Sequence, residues 1–176
     1  MAASDQSLAA RLARGEESAF AELYDACADR LHGYLTAMLG CSDRASDALQ
    51  AAFVRAVGNR KRFAAVENPV AYVFQIARNE ALRSAKRKDR KKTEQLRSEE
   101  SLPGAVDQFA SEDAEVARAA LAQLPVNDRE VIELKIFADL TFQEISHVVG
   151  RPAATVATRY RRALESLRPW LERQFR

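Results

Sequence analysis

A chain of 176 residues has room for one ordinary domain or two small ones, and its 47% hydrophobic content excludes a disordered composition. Glycine (6) and proline (5) are scarce beside abundant Ala, Leu, Arg and Glu, which lose little rotamer freedom in helices, so the chain is expected to be all-α. The 27 Lys+Arg against 25 Asp+Glu leave only +2, so total charge makes no case for nucleic acid and its distribution has to be read instead.

The N-terminal stretch MAASDQSLAARLARGEE lacks a continuous apolar core, and no apolar run approaches the roughly 18 to 20 residues that span a bilayer. A cytoplasmic protein without membrane insertion is expected. Cys27 and Cys41 have neither CxxC spacing nor histidines at metal-ligand intervals, and are expected to be reduced, packed thiols. His32 and His147 stand apart from each other and from any nucleophile motif. With no carboxylate pair, metal cluster or phosphate loop in view, the expectation is a protein with no catalytic residues, no metal site and no cofactor, and not an enzyme.

From Phe20, apolar residues recur at Leu23, Cys27, Leu31, Tyr34, Leu35 and Met38, which predicts an amphipathic helix. A break at 40–43 precedes a second stripe, Ala45, Ala48, Leu49, Ala52, Phe53, Ala56 and Val57, whose small residues permit close packing. The segment GNRKRFAAVE at 58–67 has no periodicity and reads as a loop. Asn68 and Pro69 then form an N-cap and first helical residue, opening a third helix through Tyr72, Phe74, Gln75, Ile76, Asn79 and Leu82. Apolar packing gives way there to KRKDRKK, Lys86 to Lys92.

Residues 91–110 are polar, carry a Pro103-Gly104 turn signal and have the composition of a flexible linker. It would join two small helical domains, 1–90 and 111–176. A helix is expected from about Glu112 to Gln123, ended by Leu124-Pro125. Asn127-x-x-Glu130 and Thr141-x-x-Glu144 both have capping-box form and mark two further helix starts. The first would carry Val131, Ile132, Leu134 and Ile136; the second carries Phe142, Ile145, Val148 and Val149 before Gly150, a suitable stop. A last helix runs from Pro152 towards Leu167.

The helix from Thr141, the turn at Gly150-Arg151, and a following helix bearing Thr155, Thr158, Arg159, Arg161 and Arg162 have the layout of a helix-turn-helix, in a second domain of four helices. Arginines there would serve guanine edges or phosphates. A solvated arginine face on a helical hairpin is the plainer alternative. In the first domain, Arg83, Lys86, Arg87, Lys88, Arg90, Lys91 and Lys92 follow a helix bearing Tyr72, Phe74, Gln75, Arg78 and Asn79, so phosphate attraction would lie beside side chains able to stack on exposed bases. Core packing is the competing role for the two aromatics. An autonomous helix-turn-helix regulator and a bundle that binds another regulator also remain open on these residues.

Taken together, the stretches AFAELYDACADRLHGYL, SDALQAAFVRAV, NPVAYVFQIARNEALRSAKRK, LPVNDREVIEL, LTFQEISHVVG and TVATRYRRALESLR resemble, in order and spacing, the extracytoplasmic-function (ECF) sigma factors of bacterial RNA polymerase. The resemblance covers nearly the whole chain. It implies an alternative sigma factor that binds core RNA polymerase, recognises promoter DNA, promotes strand opening and is held by an anti-sigma factor.

By the same resemblance, core polymerase binding falls to Asp47, Leu49, Gln50 and Phe53, with Ala51 where the family has an acidic residue and Val57 where it has an aromatic one. The minus-ten element would meet Arg60, Lys61, Arg62, Tyr72, Gln75, Arg78, Asn79, Arg83, Lys86 and Arg87 in a region 2-like domain. The minus-thirty-five element would meet Arg151, Thr155, Thr158, Arg159, Arg161 and Arg162, beside Ala153, Ala154 and Ala157, in a region 4-like domain. Pro152 stands in place of a serine often found at that helix start, which removes a capping oxygen.

Overall fold

The computed structural model describes residues 7–95 and 112–174, which contain helices and no strand. The chain divides into two compact units, Met1–Gly104 and Ala105–Arg176. No helix among the described residues is long and apolar enough to cross a membrane.

In the first unit, α1 (Leu8–Arg14) starts where the Ser7 hydroxyl accepts the Ala10 N–H at 3.3 Å and stops at Gly15, whose φ of +82° is left-handed. Helix α2 (Glu17–Leu39) buries Leu23, Cys27, Leu31, Tyr34 and Leu35, the face its periodicity predicts. In α3 (Ser42–Gly58) the buried positions are Ala45, Ala48, Leu49, Ala52 and Ala56, and the alanines let α3 lie against both α2 and α4. Helix α4 (Pro69–Gln95) is capped as expected, with the Ala71 N–H donated to Asn68 Oδ1 at 2.9 Å.

Four expectations for this unit are corrected. Phe53 is half-buried and Val57 is 45% exposed, because each sits one step beyond an inward alanine, about 100° round the helix. The segment read as a loop contains a 3-10 helix, Arg60–Ala65, whose Phe63 is fully buried. Phe63 meets Phe20 and Tyr72 edge-on, with ring centroids 6.0 and 5.2 Å apart. One inward aromatic in a tight turn generates no periodicity, so the pattern was silent. Cys27 is buried, but Cys41 is only partly so, preceding α3 rather than packing inside. Finally, α4 continues to Gln95, five residues into the expected linker. Lys and Arg are good helix formers, so the loss of apolar spacing after Leu82 does not end the helix. The rest of the expected linker, 96–110, lies outside the described residues.

The second unit consists of α5 (Glu112–Ala122), α6 (Val126–Ile136), α7 (Phe142–Val149) and α8 (Ala153–Gln174). Its core includes Ala120, Leu124, Ile132, Ala163 and Leu167, with Leu121, Tyr160 and Trp170 packed against them. The capping box at Asn127 does not form: α6 starts two residues earlier than that cap requires, after Pro125, whose carbonyl accepts the N–H groups of Asp128 and Arg129 at 2.9 Å each. Proline's fixed φ already presets this chain direction, and Asn127 lies within the first turn. Ile136, the last residue of α6, is 54% exposed rather than core. Helix α8 runs past Leu167 and through Pro169 to Gln174, with Trp170 returning to the core.

Candidate nucleic-acid interface

The turn between α7 and α8 is fixed at both ends. Thr141 and Glu144 form the predicted capping box, with the Glu144 N–H donated to Thr141 Oγ1 at 3.2 Å and the Thr141 N–H to Glu144 Oε2 at 2.6 Å. Gly150 ends α7 at φ +66°, and the Arg151 N–H returns to the Ser146 carbonyl at 3.1 Å. The Pro152 carbonyl then accepts from Thr155 and Val156, so α8 starts without a side-chain cap at that position. Val156, Ala163 and Leu167 turn inward, while the Phe142 and Tyr160 rings, 5.4 Å apart, join α7 to α8.

This leaves Arg151, Ala154, Thr155, Thr158, Arg161 and Arg162 exposed, with Ala153, Ala157 and Arg159 half-buried. The predicted recognition positions therefore share one surface, but they are not equivalent. The Thr158 hydroxyl donates to the Ala154 carbonyl at 2.9 Å, and Arg161 stands 4.0 Å from the exposed Glu165. Arg162 donates from Nε and Nη2 to the two carboxylate oxygens of Asp128 at 2.8 and 2.7 Å. These hydrogen bonds hold the guanidinium pKa above its ordinary value. Asp128 was missed as a functional candidate because its partner lies 34 residues away and no local spacing announces it.

In the first unit, α3 exposes Asp47, Gln50 and Ala51, whereas Leu49 is buried and holds α3 in place instead of offering contact area. Phe53 meets Tyr24 edge-on at 5.0 Å, and Tyr24, Val54 and Val57 extend an apolar surface there. Tyr24 and Val54 lie off the inward stripes, and that displacement was the available sign of an outward role.

Along α4, Tyr72, Gln75, Asn79 and Lys86 fall at steps of three, four and seven on one face that is exposed or half-exposed. Phe74 is fully buried and takes the core role weighed for it, so of the two aromatics only Tyr72 reaches the surface. Arg78 is half-buried. Arg83 and Arg55 both pair with Glu80 Oε1, at 3.0 and 2.6 Å, a bridge that ties α3 to α4 and restrains Arg83. In the 3-10 helix, Lys61 and Arg62 are exposed. Arg60 lies against α1, so close that a Cβ at Gly15 would come within 2.9 Å of its Cδ and Nε. The side chain of Arg87 lies outside the described part.

Three further groups, Glu133, Cys27 and Cys41, are shifted. Burial pushes the Glu133 carboxyl up to about 7, with Arg129 opposing and Glu130 adding to the shift. Burial also raises the Cys27 thiol to about 11, whereas the backbone N–H of Arg44 is foremost in lowering that of Cys41. Among the described residues no cluster of three or more His, Cys, Asp or Glu side chains could hold a metal.

The first unit is thus a helical bundle with an aromatic and cationic face on α4, and the second has the layout of a helix-turn-helix. The family model described as Sigma-70 region 2 matches residues 23–91, and that described as Sigma-70, region 4 matches 114–167. The chain is 31% identical over 157 residues to the ECF RNA polymerase sigma factor RpoE of Cereibacter sphaeroides, covering 87% of this chain and 86% of that protein. It is 29% identical over 171 residues to the ECF sigma factor SigW of Bacillus subtilis, covering 90% and 91%. The fold matches CnrH in complex with the cytosolic domain of CnrY at TM-score 0.68 and 23% identity, covering 94% and 95% of the two chains. It also matches the sigma factor RpoE in complex with the anti-sigma factor NepR from Bartonella quintana, at TM-score 0.68 and 23% identity over 89% and 96%. The chain belongs to the ECF RNA polymerase sigma factors. As such it is an alternative sigma factor, a protein of transcription initiation.

Proposed function

We propose that this sigma factor binds core RNA polymerase through the first unit, reads promoter DNA with both units, and assists strand opening through α4 and the 3-10 helix before it. The observation that carries this reading is the pair of unlike polar surfaces. Helix α8 presents short side chains and arginines on a rigid rod, suited to a major groove. Helix α4 presents Tyr72, Gln75 and Asn79 beside Lys61, Arg62 and Lys86, suited to unstacked bases and their phosphates.

In this reading the region 2 unit meets the minus-ten element and the region 4 unit the minus-thirty-five element. Cationic side chains attract the duplex, and each neutralised phosphate contributes about −0.9 to the log-log salt slope. Unstacking a base costs a few kcal/mol, which Tyr72 offsets by stacking at about 1 to 3 kcal/mol per base. Core polymerase meets Asp47, Gln50 and Phe53 on α3, extended by Tyr24, Val54 and Val57. Burying that apolar surface would supply affinity in place of the acidic side chain absent at Ala51. An anti-sigma factor, present with a protein of similar fold, is the natural regulator of such surfaces and is proposed here also.

Permanganate reactivity of promoter thymines tests the opening step. With core polymerase and the wild-type chain, thymines around the start site should react. The pair Lys61→Glu and Lys86→Glu should suppress that reactivity while leaving upstream protection in place. Undiminished reactivity would remove α4 and the 3-10 helix from the opening step.

A further inference from the structure

Arg162 is 61% exposed, yet its guanidinium is held edge-on by a carboxylate that is only 2% exposed. Of the five N–H donors of an arginine, the bonds to Asp128 use one on Nε and one on Nη2. Both N–H groups of Nη1 and the second of Nη2 lie in the guanidinium plane along the edges turned away from the carboxylate. The neighbouring Arg161 differs: its contact with Glu165 is 4.0 Å long and both side chains are well exposed. Asp128 itself is buried in the first turn of α6, where a negative charge also suits the helix dipole.

Resting on the assignment of α8 to promoter reading, we propose that Asp128 is a positioning residue for promoter recognition, aiming the unused fork of Arg162 at the O6 and N7 acceptors of a guanine. A long arginine on a helix surface loses much rotamer freedom when it docks, and fixing it beforehand removes part of that loss from the binding step. The planar fork matches the paired guanine acceptors, whereas a single phosphate oxygen requires no such alignment. Asp128 touches no DNA and acts only through the arginine. This also explains a carboxylate of α6 that no local cap or pair accounts for.

The test uses the full chain with core polymerase and a promoter library randomised through the upstream element, scoring transcript yield by base at each position. Asp128→Asn keeps the shape and removes the charge. It should flatten the preference for guanine at one position by about fivefold or more, the low end of the roughly 5- to 150-fold discrimination that one bidentate pair supplies, and leave other positions unchanged. Arg162→Ala should flatten the same position. Asp128→Glu keeps the ion pair but displaces the carboxylate by one methylene, and should give an intermediate profile with the thermal midpoint retained. That variant decides the matter if Asp128→Asn does not fold. A wild-type profile in the Asp128 variants beside a flattened one in Arg162→Ala would overturn the positioning role alone. A uniform loss at every position would also overturn it, since Arg162 would then serve the phosphate backbone or the fold. Unchanged profiles in all these variants and in Thr155→Ala with Thr158→Ala would overturn the assignment of α8 itself.

Discussion

Glu133 is buried in the second unit, with 4% of its surface exposed and a carboxyl raised to about 7. A carboxyl near its ordinary value when unfolded and near 7 when folded favours folding in its protonated form. The stabilising contribution is therefore full below about pH 4.5 and is lost as pH rises through about 7. Glu133→Gln should remove that dependence and raise the thermal midpoint of this unit at pH 8 more than at pH 5. Equal shifts at both values would show that the carboxylate is solvated or paired. Neither this group nor Asp128 was readable as special in the sequence, because burial and a partner 34 residues away are properties of the packed unit. The basic residues were readable by type, but the difference between Arg161, facing solvent, and Arg162, held by Asp128, was not.

Helix starts were read correctly where a side chain closes a local hydrogen bond, as at Asn68 and Thr141, and incorrectly at Asn127, where proline had already set the chain direction. Thr141→Ala removes one half of the capping box and should cost about 1 kcal/mol. Chemical denaturation of the full chain, followed by a probe in the second unit, should show this as a lower midpoint. An unchanged midpoint would mean that the cap does not limit α7. The buried faces of α2 and α3 followed from the apolar spacing, but the 3-10 helix carrying Phe63 did not, since a single inward ring leaves no repeating signal. Phe63→Ala would leave a cavity beneath Tyr72 and Phe20, at a cost of about 3 to 5 kcal/mol for a buried phenylalanine. The first unit should then unfold at markedly lower denaturant than the second. Loss of both transitions together would show that the units fold as one.

For the whole chain, the division into two helical units was foreshadowed by a polar stretch with a Pro-Gly turn signal in its sequence, although α4 extends further into it than its composition implied. Each unit has its own buried core, and each presents a cationic surface of different design. Joint action of both surfaces through core polymerase is the central claim, and neither surface alone would specify a start site. Transcription in vitro from a library of genomic promoters, with purified core RNA polymerase alone and with this chain added, tests it most directly. The account predicts new transcripts from a defined promoter set that share two upstream elements at a fixed separation, with a yield that falls steeply as salt rises. A transcript profile identical with and without the chain would contradict it.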